Sequence, residues 1–279
     1  MKTNQTNAKL IGNYELITDE ESLLATYLMN TYLPLVNESS QSVQPPNTFY
    51  VKYFKRILDL LIAIPAFVLF LPLNIILGIF TYFDVGKPIF YKQTRIGKGN
   101  QPFILVKFRN MNERKDENGT LLPAKDRVTR FGHMMRRLSL DELLNFWSVI
   151  KGDMSIIGPR PLPSTFVERM SERHKHRTDV RPGLECPRML LGKEDQCLYQ
   201  SQFENDIWYV ENISFTTDIK LLFKLFAMTF SFKKRGKAAE GAGYFAGYDQ
   251  NGIATTLNRF KRMYPELWKH IKEEHLGES

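Results

Sequence analysis

From Leu60 to Phe83 the chain reads LLIAIPAFVLFLPLNIILGIFTYF, about 24 residues without a charged side chain. A helix needs ~20 apolar residues to cross the hydrocarbon core of a bilayer. A soluble core helix rarely runs so far without a polar face, so this segment is expected to enter a membrane. Its flanks complicate a simple crossing. Lys52, Lys55 and Arg56 precede it, and Lys87, Lys92, Arg95 and Lys98 follow it. Basic residues favour the cytoplasmic side, so both flanks claim the same face. Pro65 and Pro72 interrupt the run, and each removes a backbone donor and favours a kink. A helix that bends near Pro72 and returns to its entry side meets both observations. A kinked spanning helix remains the alternative.

The remainder can fold around one core with appendages: 279 residues, 43% hydrophobic and 24% charged. The formal charge of +8 suits nucleic acid, anionic lipid or phosphorylated substrates. No groove-reading motif accompanies it, so no nucleic-acid partner is expected. The two cysteines, Cys186 and Cys197, form no CxxC pair and have no histidine at zinc-finger spacing. A reducing compartment follows. Met1 to Lys9 is polar and lacks the apolar core of a signal peptide.

Along the chain, residues 1–50 read as an extension and linker. Asp19, Glu20 and Glu21 open a short helical stripe through Leu24, Leu28 and Tyr32. Residues 51–86 form the membrane helix, 87–235 a catalytic domain, and 236–279 a Gly-rich linker and a terminal amphipathic helix. Pro88–Gln93 and Phe103–Phe108 have strand character around a turn at Gly97-Lys98-Gly99-Asn100. His133–Lys151 reads as helical around one start signal, and 215–232 as an interfacial or core-facing helix followed by Lys233, Lys234 and Arg235. Gly236 to Gly252 reads as mobile, and Ile253 to Leu276 as one helix. The fold class expected is α/β: a small mixed catalytic domain, a small sheet packed by short helices, with interfacial amphipathic helices around it.

The sharpest local pattern is Ser139-Leu140-Asp141-Glu142, which has the form of a capping box with Ser139 as N-cap. Most such boxes only start helices. Here Asp141 would lie in a first helical turn, beside free backbone donors that also attract phosphate. Adjacent carboxylates repel unless a cation lies between them, and Mg²⁺ takes one or two carboxylates plus substrate phosphates. Asp141 and Glu142 are therefore candidates for a nucleophile and a metal ligand. Lys107, Arg109, Arg127, Arg130, Arg136, Arg137, Arg160 and Arg181 supply cations nearby in sequence, and arginine grips phosphate with paired hydrogen bonds. A solvated basic face is the plainer reading. Cations, an acidic pair and a membrane segment together point to a diphosphate substrate at a bilayer surface.

The stretch from Lys55 to about Arg181 resembles the bacterial sugar transferase family, the monotopic polyprenyl-phosphate phosphoglycosyl transferases. The resemblance runs through Lys55-Arg56, Asp59, Gly86 to Tyr91, Gln93, Arg95, Gly97, Phe103 and Lys107 to Met111. It continues in Thr129 to Gly132, Arg136 to Leu143, Lys151 to Pro161 and Arg181-Pro182-Gly183. It implies a re-entrant membrane helix broken near Pro72, at the bacterial inner membrane, with the catalytic domain facing the cytoplasm. It also implies that Asp141 attacks the sugar-linked phosphorus of a UDP-sugar, expels UMP and carries a covalent phospho-sugar. Undecaprenyl phosphate then accepts it, starting exopolysaccharide, capsule, O-antigen or glycoconjugate synthesis. Glu142, with Asp141, would hold Mg²⁺. Arg136, Arg160 and Arg181 match family arginines near the phosphates, and Lys107, Arg109, Asp153, Pro159 and Pro161 match motif positions expected to bind substrate. Membrane lipid is an expected partner, and a homodimer a candidate assembly.

Three departures from the family pattern stand out. Leu71 replaces a common serine before Pro72, Leu144 replaces a proline after the dyad, and Leu184 to Met189 replaces the usual continuation after Gly183. The last leaves a rival reading, an inactive membrane scaffold that recruits later pathway enzymes. The intact carboxylate pair weighs against it.

Overall fold

The computed structural model describes residues 9–11, 15–38, 41–186, 198–230 and 243–277. The first strands, β1 (Lys9–Ile11) and β2 (Glu15–Ile17), pair antiparallel. Helix α1 (Asp19–Thr31) opens on a complete capping box: Thr18 Oγ1 accepts from the Glu21 amide, and Glu21 accepts from the Thr18 amide. A short α2 (Leu33–Glu38) follows. The linker beyond it places Val43 in the central core.

Helix α3 (Lys55–Val85) continues from a π turn at Tyr50–Phe54 and stops at Gly86, whose φ of 70° suits glycine. Pro65 and Pro72 both lie inside it. One stripe is buried: Lys55, Asp59, Ala63, Asn74, Leu77 and Thr81. Its spacing of three or four residues marks one helix face. The opposite face exposes Leu61, Val68, Leu69, Ile75, Ile79 and Phe83. The segment 50–85 is long and apolar enough to cross a membrane.

The same domain grips α3 along its whole length. Lys55 Nζ lies 2.7 Å from Asp218, and Arg56 donates to the Val149 and Ile150 carbonyls at 2.6 and 2.8 Å. Asp59 accepts from the Ser155 hydroxyl at 2.8 Å and the Ile156 amide at 2.9 Å. Phe67 and Phe70 meet Trp147 and Phe146. At the far end Thr129 donates to Asp84 at 2.5 Å, and Arg109 donates to the Val85 carbonyl.

After α3 comes a hairpin of β3 (Phe90–Ile96) and β4 (Pro102–Phe108), in register from Phe90↔Phe108 to Ile96↔Pro102. Gly99 and Asn100, both at positive φ, close its turn. Helices α4 (Ala124–Arg127) and α5 (Arg130–Leu138) follow, and Thr129 caps α5 by accepting from the Gly132 amide at 2.8 Å.

Here the structure corrects the expected helix start. Ser139 does not open a helix; it ends α5 in the left-handed conformation, with φ 56°, and its side chain caps nothing. Its amide is already bonded to the Arg136 and Met135 carbonyls, so a capping box has no donor left for Glu142. Asp141 and Glu142 instead lie in a single 3-10 turn, Leu140–Glu142, ahead of α6 (Asn145–Lys151).

Strand β5 (Ser155–Ile157) is wholly buried. Helices α7 (Ser164–Glu168) and α8 (Glu172–Lys175) lead to β6 (Gly183–Glu185), parallel to β5. Helices α9 (Leu198–Asn212) and α10 (Phe215–Phe230) complete the domain, and α10 buries Leu221 while exposing Phe215 and Phe223. The cluster at 233–235 lies outside the described residues.

Two further expectations are corrected. The 236–252 stretch, where described, includes β7 (Phe245–Tyr248), which is buried throughout. Ile253–Leu276 is not one helix but β8 (Ala254–Thr256), α11 (Leu257–Met263) and α12 (Pro265–Gly277). Pairing with β7 draws the first residues into a strand, Thr256 then caps α11, and Pro265 disfavours helix at Tyr264. Likewise, the described strands form four two-stranded ladders rather than one small sheet. Helix α1 packs on this C-terminal unit: Leu24 and Leu28 share a core with Ala246, Phe260, Trp268 and Ile271.

Candidate active site

The turn that carries the carboxylate pair sits between α5 and α6, against β4. Period-two alternation puts Lys107 and Leu105 on one face of β4, and their cross-strand neighbours Tyr91 and Gln93, with Arg95, on the same face of β3. The loop after β5 brings Arg160 from the other side. Arg95, Leu105, Lys107 and Arg160, together with Asn145, Pro161 and Leu184, line an open cleft with Glu142 on its wall.

The two carboxylates have different surroundings. Lys107 Nζ lies 2.5 Å from Glu142 Oε1, and Arg160 Nη2 lies 3.4 Å from the same oxygen. Burial alone would push Glu142 up, but Lys107 and Arg160 outweigh it and hold the carboxyl below its ordinary range. Glu142 in turn raises Arg160. Asp141 is 7% exposed, and its Oδ2 accepts from Asn110 Nδ2 at 3.0 Å. Its pKa is raised, first by burial and then by Glu142, against the pull of Lys107 and Arg136. The pair is thus split, one carboxyl held low and its neighbour pushed up.

Of the residues singled out from the sequence, Lys107, Glu142, Arg160 and Pro161 meet at the cleft, with Asp141 beside it. Arg136 reaches Asp141 through Asn110, whose Oδ1 accepts from Nη2 at 2.8 Å. Pro159 lies in an adjoining hollow, its carbonyl accepting from the Gly183 amide at 3.0 Å. Three others are elsewhere. Arg109 turns to the end of α3, with Glu113 at 3.4 Å. Asp153 pairs with Lys151 at 2.5 Å, and Arg181 Nε donates to the Gly152 carbonyl at 3.0 Å. That is the far end of α6 from Asn145, roughly 9 Å along the axis at the usual rise.

Sequence reasoning assigned no role to Arg95, Asn110, Asn145 or Arg177. Arg95 was discoverable, since its strand parity matches that of Lys107. Arg177 is buried, bonded to Asp206 at 2.5 Å, and donates to the Arg160 carbonyl at 2.8 Å. Close backbone contact shapes the cleft floor: a Cβ on Gly183 would fall 2.1 Å from the Gly158 nitrogen.

Among the described residues no group of three or more His, Cys, Asp or Glu side chains gathers as a metal site. Asp141 and Glu142 alone make a two-carboxylate set. That donor set fits Mg²⁺ arriving with a diphosphate, whose oxygens would complete the shell.

A domain seated on a long apolar helix, with one carboxylate of a split pair on the wall of a cationic cleft and the other beside it, is a membrane-associated protein built to handle phosphorylated groups. The chain belongs to the bacterial sugar transferase family, whose profile matches residues 50–232. It is 41% identical over 138 residues to the "uncharacterized sugar transferase EpsL" of Bacillus subtilis strain 168, covering 50% of this chain and 68% of that one. It is 36% identical over 187 residues to the UDP-N-acetylgalactosamine-undecaprenyl-phosphate N-acetylgalactosaminephosphotransferase of Aeromonas hydrophila, covering 64% and 44%. It is 30% identical over 200 residues to the UDP-glucose:undecaprenyl-phosphate glucose-1-phosphate transferase of Xanthomonas campestris pv. campestris, covering 68% and 41%. The chain spans under half the length of these last two relatives.

Proposed function

We propose that the protein transfers a sugar 1-phosphate from a UDP-sugar to undecaprenyl phosphate, releasing UMP and starting a surface polysaccharide or glycoconjugate. The observation that carries this reading is the split dyad: a buried Asp141 held by a neutral amide, beside a Glu142 held ionised by Lys107 and Arg160. The names of the relatives supply the donor and acceptor classes.

In the first displacement a carboxylate oxygen of Asp141 attacks the sugar-bearing phosphorus. The bond to the bridging oxygen breaks, its electron pair leaves on UMP, and the phospho-sugar remains as an acyl phosphate on Asp141. Arg95, Lys107 and Arg160 line the cleft where the phosphate oxygens would lie, and they offset the gathering negative charge. In the second displacement an oxygen of the lipid phosphate attacks the same phosphorus and the Asp141 carboxylate departs unchanged. Mg²⁺, with Glu142 and Asp141 as its protein ligands, would supply charge neutralisation on the diphosphate.

The seating of α3 supports a re-entrant helix. Both of its ends are fixed to one domain whose polar surface cannot enter hydrocarbon, through Lys55 and Asp59 at one end and Asp84 and Val85 at the other. Both flanks then lie on the cytoplasmic face, as the basic residues on each side favour. A site at the bilayer surface also spares the enzyme from extracting a polyprenyl chain, at about 0.8 kcal/mol per buried CH₂.

The test is UMP release by the purified chain in nanodiscs with Mg²⁺, undecaprenyl phosphate and a panel of UDP-sugars. Release with one or two donors is expected, lost in Asp141→Asn and lost on chelation with EDTA. Absence of release from a folded, lipid-embedded sample with every donor would turn the reading toward a scaffold.

A further inference from the structure

We infer that Asn110 is a positioning residue that commits Asp141 to a single attacking oxygen, and that Arg136 orients the Asn110 amide for this task. The inference rests on the phosphoryl-transfer reading above and deepens it.

A guanidinium can only donate hydrogen bonds. Arg136 Nη2 therefore requires the oxygen of the Asn110 carboxamide, which accepts from it at 2.8 Å. The amide nitrogen must then face Asp141, where it donates to Oδ2 at 3.0 Å. The flipped amide would set NH₂ against a guanidinium and C=O against a carboxylate, so the orientation is dictated by its neighbours. No other side chain bonds Asp141 among the described residues.

The backbone beneath the relay is fixed as well. The Asn110 carbonyl accepts from the Thr129 amide at 3.4 Å, at the start of α5. Gly132 packs so closely on Asn110 that a Cβ there would lie 2.2 Å from its carbonyl oxygen. Arg136 stands four residues on, on the same helix face as Gly132. Helix α5 thus meets Asn110 twice, once on the peptide and once on the side chain, and Asn110 is 8% exposed.

A neutral amide fixes one oxygen by a single bond and leaves Oδ1 for the phosphorus. The positive charge of Arg136 stays one residue removed.

The test compares wild type, Asn110→Ala and Asn110→Asp in nanodiscs, reading UMP release with a UDP-sugar that wild type accepts, with undecaprenyl phosphate present. Misplacing a reacting group by about 1 Å can cost ~100-fold. For Asn110→Ala, kcat should fall about 10- to 100-fold while KM for the UDP-sugar stays within about twofold. Asn110→Asp is nearly isosteric and keeps a partner for Arg136, but it offers Asp141 no amide donor, so it should show the same loss of kcat with KM held. A merely structural role would lower the amount of folded enzyme and leave kcat per folded molecule unchanged. Wild-type kcat per folded molecule in Asn110→Ala or in Asn110→Asp overturns the inference and leaves the transferase reading standing. If Asn110→Ala fails to fold, the kcat of Asn110→Asp decides. Wild type that releases no UMP overturns both.

Discussion

Arg177 and Asp206 form an ion pair beneath the cleft, and removing the arginine alone should be far more damaging than removing both. The guanidinium donates to Asp206 Oδ2 through Nε at 3.0 Å and Nη2 at 2.5 Å, with side chains only 3% and 2% exposed. Arg177→Met leaves a buried carboxylate without its cation, a change that costs about 3–5 kcal/mol. It also removes the bond to the Arg160 carbonyl, a further ~1 kcal/mol. Burial already raises the Asp206 pKa against the pull of Arg177, so the stranded carboxyl recovers part of this cost by taking a proton. Methionine can still cover the Phe203 ring over which the guanidinium lies.

At roughly 2–4 °C per kcal/mol for a domain of this size, Arg177→Met should lower Tm by about 6–20 °C. The double variant Arg177→Met/Asp206→Leu removes both charges, and apolar replacement of a buried pair is often neutral. It should recover most of the lost Tm. It cannot restore the bond to the Arg160 backbone, so its KM for the UDP-sugar should stay raised while stability returns. Thermal unfolding in detergent and steady-state UMP release read the two effects separately. A double variant as unstable as Arg177→Met would refute the ion-pair argument. A double variant with wild-type KM would refute the role of Arg177 in seating Arg160.

Lys107→Met removes the nearest cation from Glu142 and weakens the pull on Asp141, so both carboxyls should titrate at higher pH. The acid limb of kcat/KM should move upward in pH. Glu142 has a lowered pKa, so its contribution to stability is present above its unfolded pKa and lost as pH falls through the folded one; Lys107→Met should flatten that acid dependence in urea titrations. Gly183→Ala would drive a Cβ to 2.1 Å from the Gly158 nitrogen and 2.6 Å from its oxygen, backbone atoms that cannot step aside. It should cost at least the ~1–3 kcal/mol of ordinary overpacking and abolish UMP release. Gly78→Ala is the control: its Cβ would meet Ile89 and Phe108 at an ordinary 3.7 Å, and Tm should hold or rise slightly.

What could be read in the sequence follows from how local its cause is. The apolar α3 and the β3–β4 hairpin are set by continuous hydrophobicity, by alternation and by a Gly-Asn turn, all contained within the segment itself. The hairpin even carries site information, since the parity that puts Lys107 into the cleft puts Arg95 there too. The dyad was visible as a pair of carboxylates, but its setting was not. Ser-x-x-Glu describes a cap only if the serine amide is free, and α5 had already taken the amide of Ser139. Freed from that cap, Glu142 pairs with Lys107, 35 positions away. Arg181 was visible as a motif position, but its local partner was not: its Nε donates to the carbonyl of Gly152 at the end of α6. Asn110 is the residue least open to such reading, because an uncharged amide has no composition signal. Its importance arises only where an arginine from α5 and a carboxylate from the following turn converge on its two ends.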